Sequence, residues 1–196
     1  MRLFVGLGNP GPQHQMNRHN IGFMALDTIH KHHNFPAWSR KFDGLMSEGM
    51  IDGEKIILFK PQKFMNVSGQ PVYQASFFFK LTPDDIYVFH DELDLAPGKI
   101  RVKKGGGTAG HNGLRSIEQN LGAEFWRVRL GIGHPGDKDW VSQHVLGDFF
   151  KTEAAWLAPL LAGIGFHATR LARGDADAFM SKVAAEVPEE KNVTIN

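Results

Sequence analysis

The residues whose types and spacing best suit chemistry lie between positions 90 and 113. His90-Asp91-Glu92-Leu93-Asp94 puts ionisable groups at the end of an apolar run, Ile86 to Phe89. A glycine-rich stretch, Gly105-Gly106-Gly107-Thr108-Ala109-Gly110-His111-Asn112-Gly113, follows shortly after. Glycine has no Cβ and offers backbone N–H groups without steric cost, so such a loop suits a bound anion or carbonyl. Between them, Lys99-Ile100-Arg101-Val102-Lys103-Lys104 sets cations on alternate positions of an expected strand. Carboxylate, imidazole, amide and cations in one segment describe a polar site facing a negatively charged ligand.

Alternating strands and helices must position these groups. The spacing predicts strands over Arg2–Leu7, Ile86–Phe89, Ile100–Val102 and Trp126–Ile132, and a hairpin of Leu45–Ile51 and Lys55–Phe59 turned at Asp52-Gly53. Helices are expected over Asn20–His32, Ser68–Lys80, Leu114–Leu121, Thr152–Ala172 and Asp175–Ala185. Interleaving of this kind argues for a single α/β domain over residues 1–187, a mixed β-sheet flanked by helices on both faces, with a polar tail at 188–196. Gly136 to Asp148 reads as loop, and with the long helix after it is a candidate rim or gate.

Bulk properties narrow the class. The chain has 196 residues, an ordinary hydrophobic fraction of 42% and no cysteine, which removes disulfides, thiolate metal sites and a cysteine nucleophile. The N-terminus enters a strand with no signal-peptide layout, and no apolar run approaches the roughly 20 residues that span a bilayer. A cytoplasmic protein with no membrane association is the expectation. The net charge of +1 hides asymmetry: residues 81–100 hold five carboxylates against Lys99, whereas 101–129 hold six cations against Glu118 and Glu124. A local basic zone on a near-neutral chain favours a polyanion held at one face; a merely solvated face has the same composition.

Two tempting motifs fail on their own terms. Gly6-Leu7-Gly8-Asn9-Pro10-Gly11 fits a dinucleotide fingerprint, but Asn9-Pro10-Gly11-Pro12 delays the helix that must meet the pyrophosphate. His30, His32 and His33 cluster without the i, i+4 spacing or third ligand of a zinc site, and read as a cationic helix end.

Five pieces remain: Gly8-Asn9-Pro10-Gly11, Arg18-His19-Asn20-Ile21-Gly22, Phe64-Met65-Asn66-Val67-Ser68-Gly69, the His90–Gly113 segment, and Arg127 to Gly136. In this order and at these spacings they resemble bacterial-type peptidyl-tRNA hydrolase, over nearly the whole chain from Leu3 to about Ala185. The resemblance implies a monomer with no metal, no cofactor and no obligate protein partner. Such an enzyme cleaves the ester between a peptide's C-terminus and the 3′ end of tRNA, recycling tRNA from peptidyl-tRNA released early.

It further implies that His19 is the base, Asp91 its partner, and Asn9, Asn66 and Asn112 the site amides. A neutral imidazole takes a proton from water near neutral pH, a carboxylate fixes its tautomer, and amide N–H groups meet the developing oxyanion. By the same resemblance Asn9 reads the peptidyl backbone; Phe64, Met65, Asn66, Gly110, His111 and Asn112 line the substrate site; Lys103 and Arg129 hold tRNA phosphate, with Arg101 and Lys104 behind them. Taken singly, these residues have other readings. Asn66 and Asn112 each fit a helix N-cap, Phe64 and Met65 fit a core, and Lys103 fits a solvated strand. One departure stands out: the position five before His19, usually tyrosine in such enzymes, is His14, a candidate tRNA contact.

Overall fold

The computed structural model describes residues 1–189. Most of the polar tail expected from 188 therefore lies outside the described residues. Seven strands, β1 (Arg2–Gly6), β2 (Ser39–Lys41), β3 (Gly44–Ile51), β4 (Glu54–Pro61), β5 (Ile86–Glu92), β6 (Ile100–Lys104) and β7 (Trp126–Gly131), form one sheet in the order β2-β3-β4-β1-β5-β7-β6. The central four are mutually parallel; β2 and β3 at one side and β6 at the other run antiparallel to their neighbours. Parallel central strands are covered on both faces and so read as continuous apolar runs. Leu3, Phe4 and Val5 of β1 are fully buried, and every residue of β5 is buried.

Among the described residues six α-helices cover the sheet: α1 (Ile21–His32), α2 (Gly69–Phe78), α3 (Asn112–Leu121), α4 (Val141–Val145), α5 (Ala154–Ala172) and α6 (Ala176–Glu186). Two apolar clusters mark the two faces. Phe4, Leu58, Tyr87, Phe89 and Val128 pack with α1, α5 and α6, while Leu3, Val5, Ile57, Val88 and Phe125 pack with α2 and α3. The chain leaves β1 toward β4 on one face and returns from β4 to β5 on the other. The crossover direction reverses between β1 and β5, and the loops beyond their carboxyl ends part to leave a crevice.

One close approach brings the site together. A Cβ on Gly22 would collide with the Phe89 carbonyl and the Leu7 backbone, and one on Gly6 would strike the Gly22 carbonyl. Glycine at both positions lets the first turn of α1 lie directly on the strand tips, with residues 18–20 above the end of β5. The hairpin at Asp52-Gly53, with φ of 51° and 81°, forms as its Asp-Gly signature predicts. Two short elements escaped the sequence reading. Strand β2 has only three residues, and α4, five residues long, sits inside the stretch expected to be loop.

Candidate active site

A cleft of about 740 Å³ opens at the carboxyl ends of the central strands. Asn9 follows β1, His19 precedes α1, Phe64, Met65 and Asn66 follow β4, Asp91 is near the end of β5, and Gly110, His111 and Asn112 open α3; all line it. The far wall comes from residues 134–146, including Lys138, Val141, Ser142, Val145 and Leu146 of the expected rim.

At its floor a buried carboxylate joins two imidazoles. Asp91 Oδ2 lies 2.8 Å from His19 Nδ1, and Asp91 Oδ1 lies 2.8 Å from His111 Nε2. The rings of His19 and His111 are 5.0 Å apart. His111 has a second task as N-cap of α3, its Nδ1 accepting from the Gly113 and Leu114 N–H groups at 3.1 and 3.2 Å. A nitrogen that accepts two N–H groups carries no proton, so the His111 proton is on Nε2 and is donated to Asp91. His111 is thereby fixed as a donor to Asp91 through Nε2. His19 donates its Nδ1 proton to the other carboxylate oxygen, which leaves Nε2 with a free lone pair.

The electrostatics follow from this bridge. Burial pushes the Asp91 carboxyl up, but the two imidazoles outweigh it and hold its pKa far below the usual carboxylate range. Burial disfavours the charged form of His19, yet the Asp91 charge and hydrogen bond prevail and its pKa is raised. Next to them, fully buried His90 is pushed down to about 3 by burial and by the neighbouring His111 ring, so it is neutral at ordinary pH. Its Nδ1 donates to the Asp91 carbonyl at 2.8 Å and its Nε2 has no partner among the described residues. Ligand-type atoms of His19, Asp91 and His111 lie within 4.8 Å of one another, a spacing a metal ion could use. Here the carboxylate holds both imidazoles by hydrogen bonds, and His111 reaches a metal through Nε2 only by giving up its cap.

The amides divide by their partners. Asn9 Oδ1 accepts the Met65 N–H at 2.8 Å, which leaves the Asn9 Nδ2 group as a donor. Asn20, part of the Arg18–Gly22 motif but given no role from sequence, clamps the Asn9 backbone from both sides, accepting its N–H at 2.8 Å and donating to its carbonyl at 2.9 Å. Its motif marked the position, but only the meeting of two loops shows what it holds. Neither Asn66 nor Asn112 is a cap. Ser68 precedes α2 without a side-chain cap bond, and His111 caps α3. Both asparagines are exposed in the cleft and without side-chain partners among the described residues. Met65 is buried, its sulfur packed where a Cβ on Gly113 would stand, and Phe64 is 63% exposed.

A model of the peptidyl-tRNA hydrolase family matches residues 3–192. The chain belongs to the peptidyl-tRNA hydrolase family. It is 63% identical to the peptidyl-tRNA hydrolase of Dinoroseobacter shibae over 184 residues, covering 94% of this chain and 78% of that protein. The corresponding figure for the Acidiphilium cryptum enzyme is 59% over 185 residues, 94% of this chain and 96% of that protein. A crystal structure of peptidyl-tRNA hydrolase from Acinetobacter baumannii superposes with a TM-score of 0.91 at 38% identity, covering 96% and 97% of the two chains.

The cations expected to hold phosphate in a peptidyl-tRNA hydrolase fare unequally. None of Arg101, Lys103, Lys104 or Arg129 lines the cleft; all lie on β6 and β7. Arg129 donates through Nε to Glu92 at 2.7 Å, and Lys104 pairs with Asp84. Arg127, counted in the basic zone from sequence, is only 2% exposed and stacks 4.2 Å from the Phe125 ring centroid. Its Nη1 donates to the Ala123 carbonyl at 2.9 Å and its Nη2 lies 3.7 Å from Glu118 Oε2, so it is held inside the protein and not offered to a phosphate. Lys103 is exposed and without an ion pair among the described residues, its ammonium close to Gly106 of the glycine loop. His14 stands outside the cleft lining, its Nδ1 2.8 Å from Asn17 Oδ1.

Proposed function

We propose that this protein hydrolyses the ester linking a peptide to the 3′ end of tRNA by general-base activation of water, with His19 as the base. The observation that carries the mechanism is the one-sided bridge at Asp91. His111 cannot rotate its proton away without losing the α3 cap, so the carboxylate is held square to His19 Nδ1. That fixes the His19 tautomer with its lone pair on Nε2, and Asp91 stabilises the imidazolium that forms once water gives up its proton. A tRNA 3′-ester has a better leaving group than an amide, so an activated water suffices and no side-chain nucleophile is required.

Asn9, through Nδ2, supplies an N–H to a peptide carbonyl and presents a donor rather than an acceptor to an α-ammonium, because its oxygen is turned to the Met65 N–H. This supports a preference for blocked over free aminoacyl esters. Asn66 and Asn112, exposed and unpartnered, serve the ester oxygen and the adjoining backbone, each such donor contributing about 2.7–4 kcal/mol at the transition state. Phe64, Met65, Gly110 and His111 complete the substrate wall, and contacts to main chain make the site indifferent to peptide sequence. Lys103 is the phosphate contact the geometry favours, with Arg129 and His14 secondary. The enzyme acts as a cytoplasmic monomer built from residues 1–187, with 188–196 its tail, and needs no metal, cofactor or protein partner.

The deciding experiment compares hydrolysis of N-acetylaminoacyl-tRNA and free aminoacyl-tRNA by the wild-type protein in the presence of a chelator. Fast release of the blocked amino acid and slow release of the free one are expected. Equal rates would remove Asn9 as the discriminator, and no hydrolysis of either would refute the function.

A further inference from the structure

We propose that Arg18 is a positioning residue for His19, fastening the far wall of the cleft to the turn that carries the base. This rests on His19 being the base. Arg18 and His19 are consecutive in the short 3-10 turn Arg18–Asn20. Three groups of Arg18 reach the rim: its backbone N–H meets the Gly147 carbonyl at 2.9 Å, Nη1 the His144 carbonyl at 3.3 Å, and Nη2 Glu153 Oε1 at 2.7 Å. The guanidinium also sits 5.7 and 4.9 Å from the ring centroids of Phe149 and Phe150. The approach is as tight as the chain allows, since a Cβ on Gly147 would stand 2.9 Å from Arg18 Nη1.

The anchor is itself fixed. Glu153 Oε1 accepts the Phe150 N–H at 3.0 Å, and Asn17 Nδ2 donates to Asp148 Oδ1 at 2.8 Å beside a backbone bridge between the same two residues. Arg18 is 4% exposed. A buried guanidinium is costly to desolvate, and an apolar side chain of like volume fills such a space as well. What the guanidinium adds is direction, a rigid fork of donors that sets one segment against another.

The segment so held forms the substrate wall. The short helix whose His144 carbonyl Arg18 grips presents Val141, Ser142, Val145 and Leu146 to the cleft. A substrate pressed against that wall loads the residue next to the base. On the other flank of His19, Asn20 is clamped to Asn9, which lines the opposite side of the cleft. His19 is thus held between two walls, and its alignment on Asp91 depends on both. The charged and titratable groups around it are Asp91 from β5, His111 from the cap of α3, and, one residue away, the Arg18–Glu153 pair.

The test uses Arg18→Lys, which keeps the charge and loses the fork, and Glu153→Gln, which keeps the other two rim bonds and carries the test if the lysine variant fails to fold. Steady-state hydrolysis of N-acetylaminoacyl-tRNA is followed over pH, with His19→Gln alongside. Loosening His19 from Asp91 should lower kcat by between about tenfold and a hundredfold, with little change in KM. It should also move the acid limb of kcat/KM to lower pH, because the carboxylate that raises the His19 pKa is then less well aligned. A raised KM with an unmoved pH limb would show that Arg18 only shapes the wall, and unchanged kinetics would overturn the proposal outright. Wild-type rates from His19→Gln would instead bring down the base assignment, and the proposal with it.

Discussion

Replacing Asp91 by asparagine tests the site where its geometry is most specific. The carboxylate accepts from two imidazoles, 2.8 Å on each side. An amide has one oxygen and one NH2, so it can accept from one ring only. His111 cannot change its proton, because its Nδ1 holds the Gly113 and Leu114 N–H groups. The amide oxygen must therefore face His111, and the NH2 group must face His19. His19 then accepts on Nδ1 and carries its proton on Nε2, where the lone pair is needed. Both the tautomer and the counter-charge are lost. In a hydrolytic triad that combination lowers kcat by about 10⁴, or about 5 kcal/mol of barrier. The structure also predicts a partial rescue. In Asp91→Asn/His111→Asn, the new asparagine at 111 caps α3 but is too short to reach position 91, so the amide is free to turn its oxygen to His19. A hydrogen bond of about 1 kcal/mol then favours the working tautomer, a gain of about fivefold over Asp91→Asn alone. Single-turnover hydrolysis of N-acetylaminoacyl-tRNA measures both variants, and ¹⁵N spectra of the His19 ring report the tautomer. If the double variant is folded and no faster than the single one, the orientation argument is wrong.

Further expectations concern stability, selectivity and tRNA binding. His90 has a folded pKa pushed down to about 3 from an unfolded value of 6.5, so the unfolded chain takes the proton first as pH falls. Its contribution is complete above 6.5 and is lost toward 3, amounting to about 2 kcal/mol between pH 7 and 5. Urea unfolding of His90→Asn should show a flatter pH dependence across that interval, and an identical slope would exclude His90 as its source. Asn9→Asp keeps the acceptor for the Met65 N–H and replaces the Nδ2 donor with an anionic oxygen. Cleavage of blocked substrate should fall by about a hundredfold, while the ratio of blocked to free aminoacyl-tRNA hydrolysis shrinks; a preserved ratio would place discrimination elsewhere. Lys103→Ala should weaken tRNA binding and reduce the slope of log K against log salt by about one. Lys104→Ala, whose ammonium is already paired with Asp84, should leave the slope nearly unchanged, and equal effects from both would contradict the distinction.

The family of this chain was legible in its sequence because its motifs set residue types at fixed spacing. Histidine after Arg18, carboxylate after His90, and asparagines in three Gly- or Phe-flanked motifs carried the resemblance. The fold class was legible for a related reason: buried parallel strands such as Leu3-Phe4-Val5 and Ile86 to Phe89 must be apolar throughout, and helices such as α1 must repeat their apolar residues every three or four positions. Short elements were not, since β2 and α4 are too short to repeat their patterns even twice. What only the tertiary structure decided is how equivalent-looking polar groups are paired. Arg127, Arg129, Lys103 and Lys104 are alike in sequence, yet one is buried between Phe125 and Glu118, two more are tied to carboxylates, and one is without an ion pair among the described residues. That His111 also caps α3 and bonds Asp91, and that residues 144–153 close over Arg18, had no counterpart in the sequence. Pairing is a property of distance in space, and residues 135 positions apart in the chain, such as Arg18 and Glu153, leave no local trace of it.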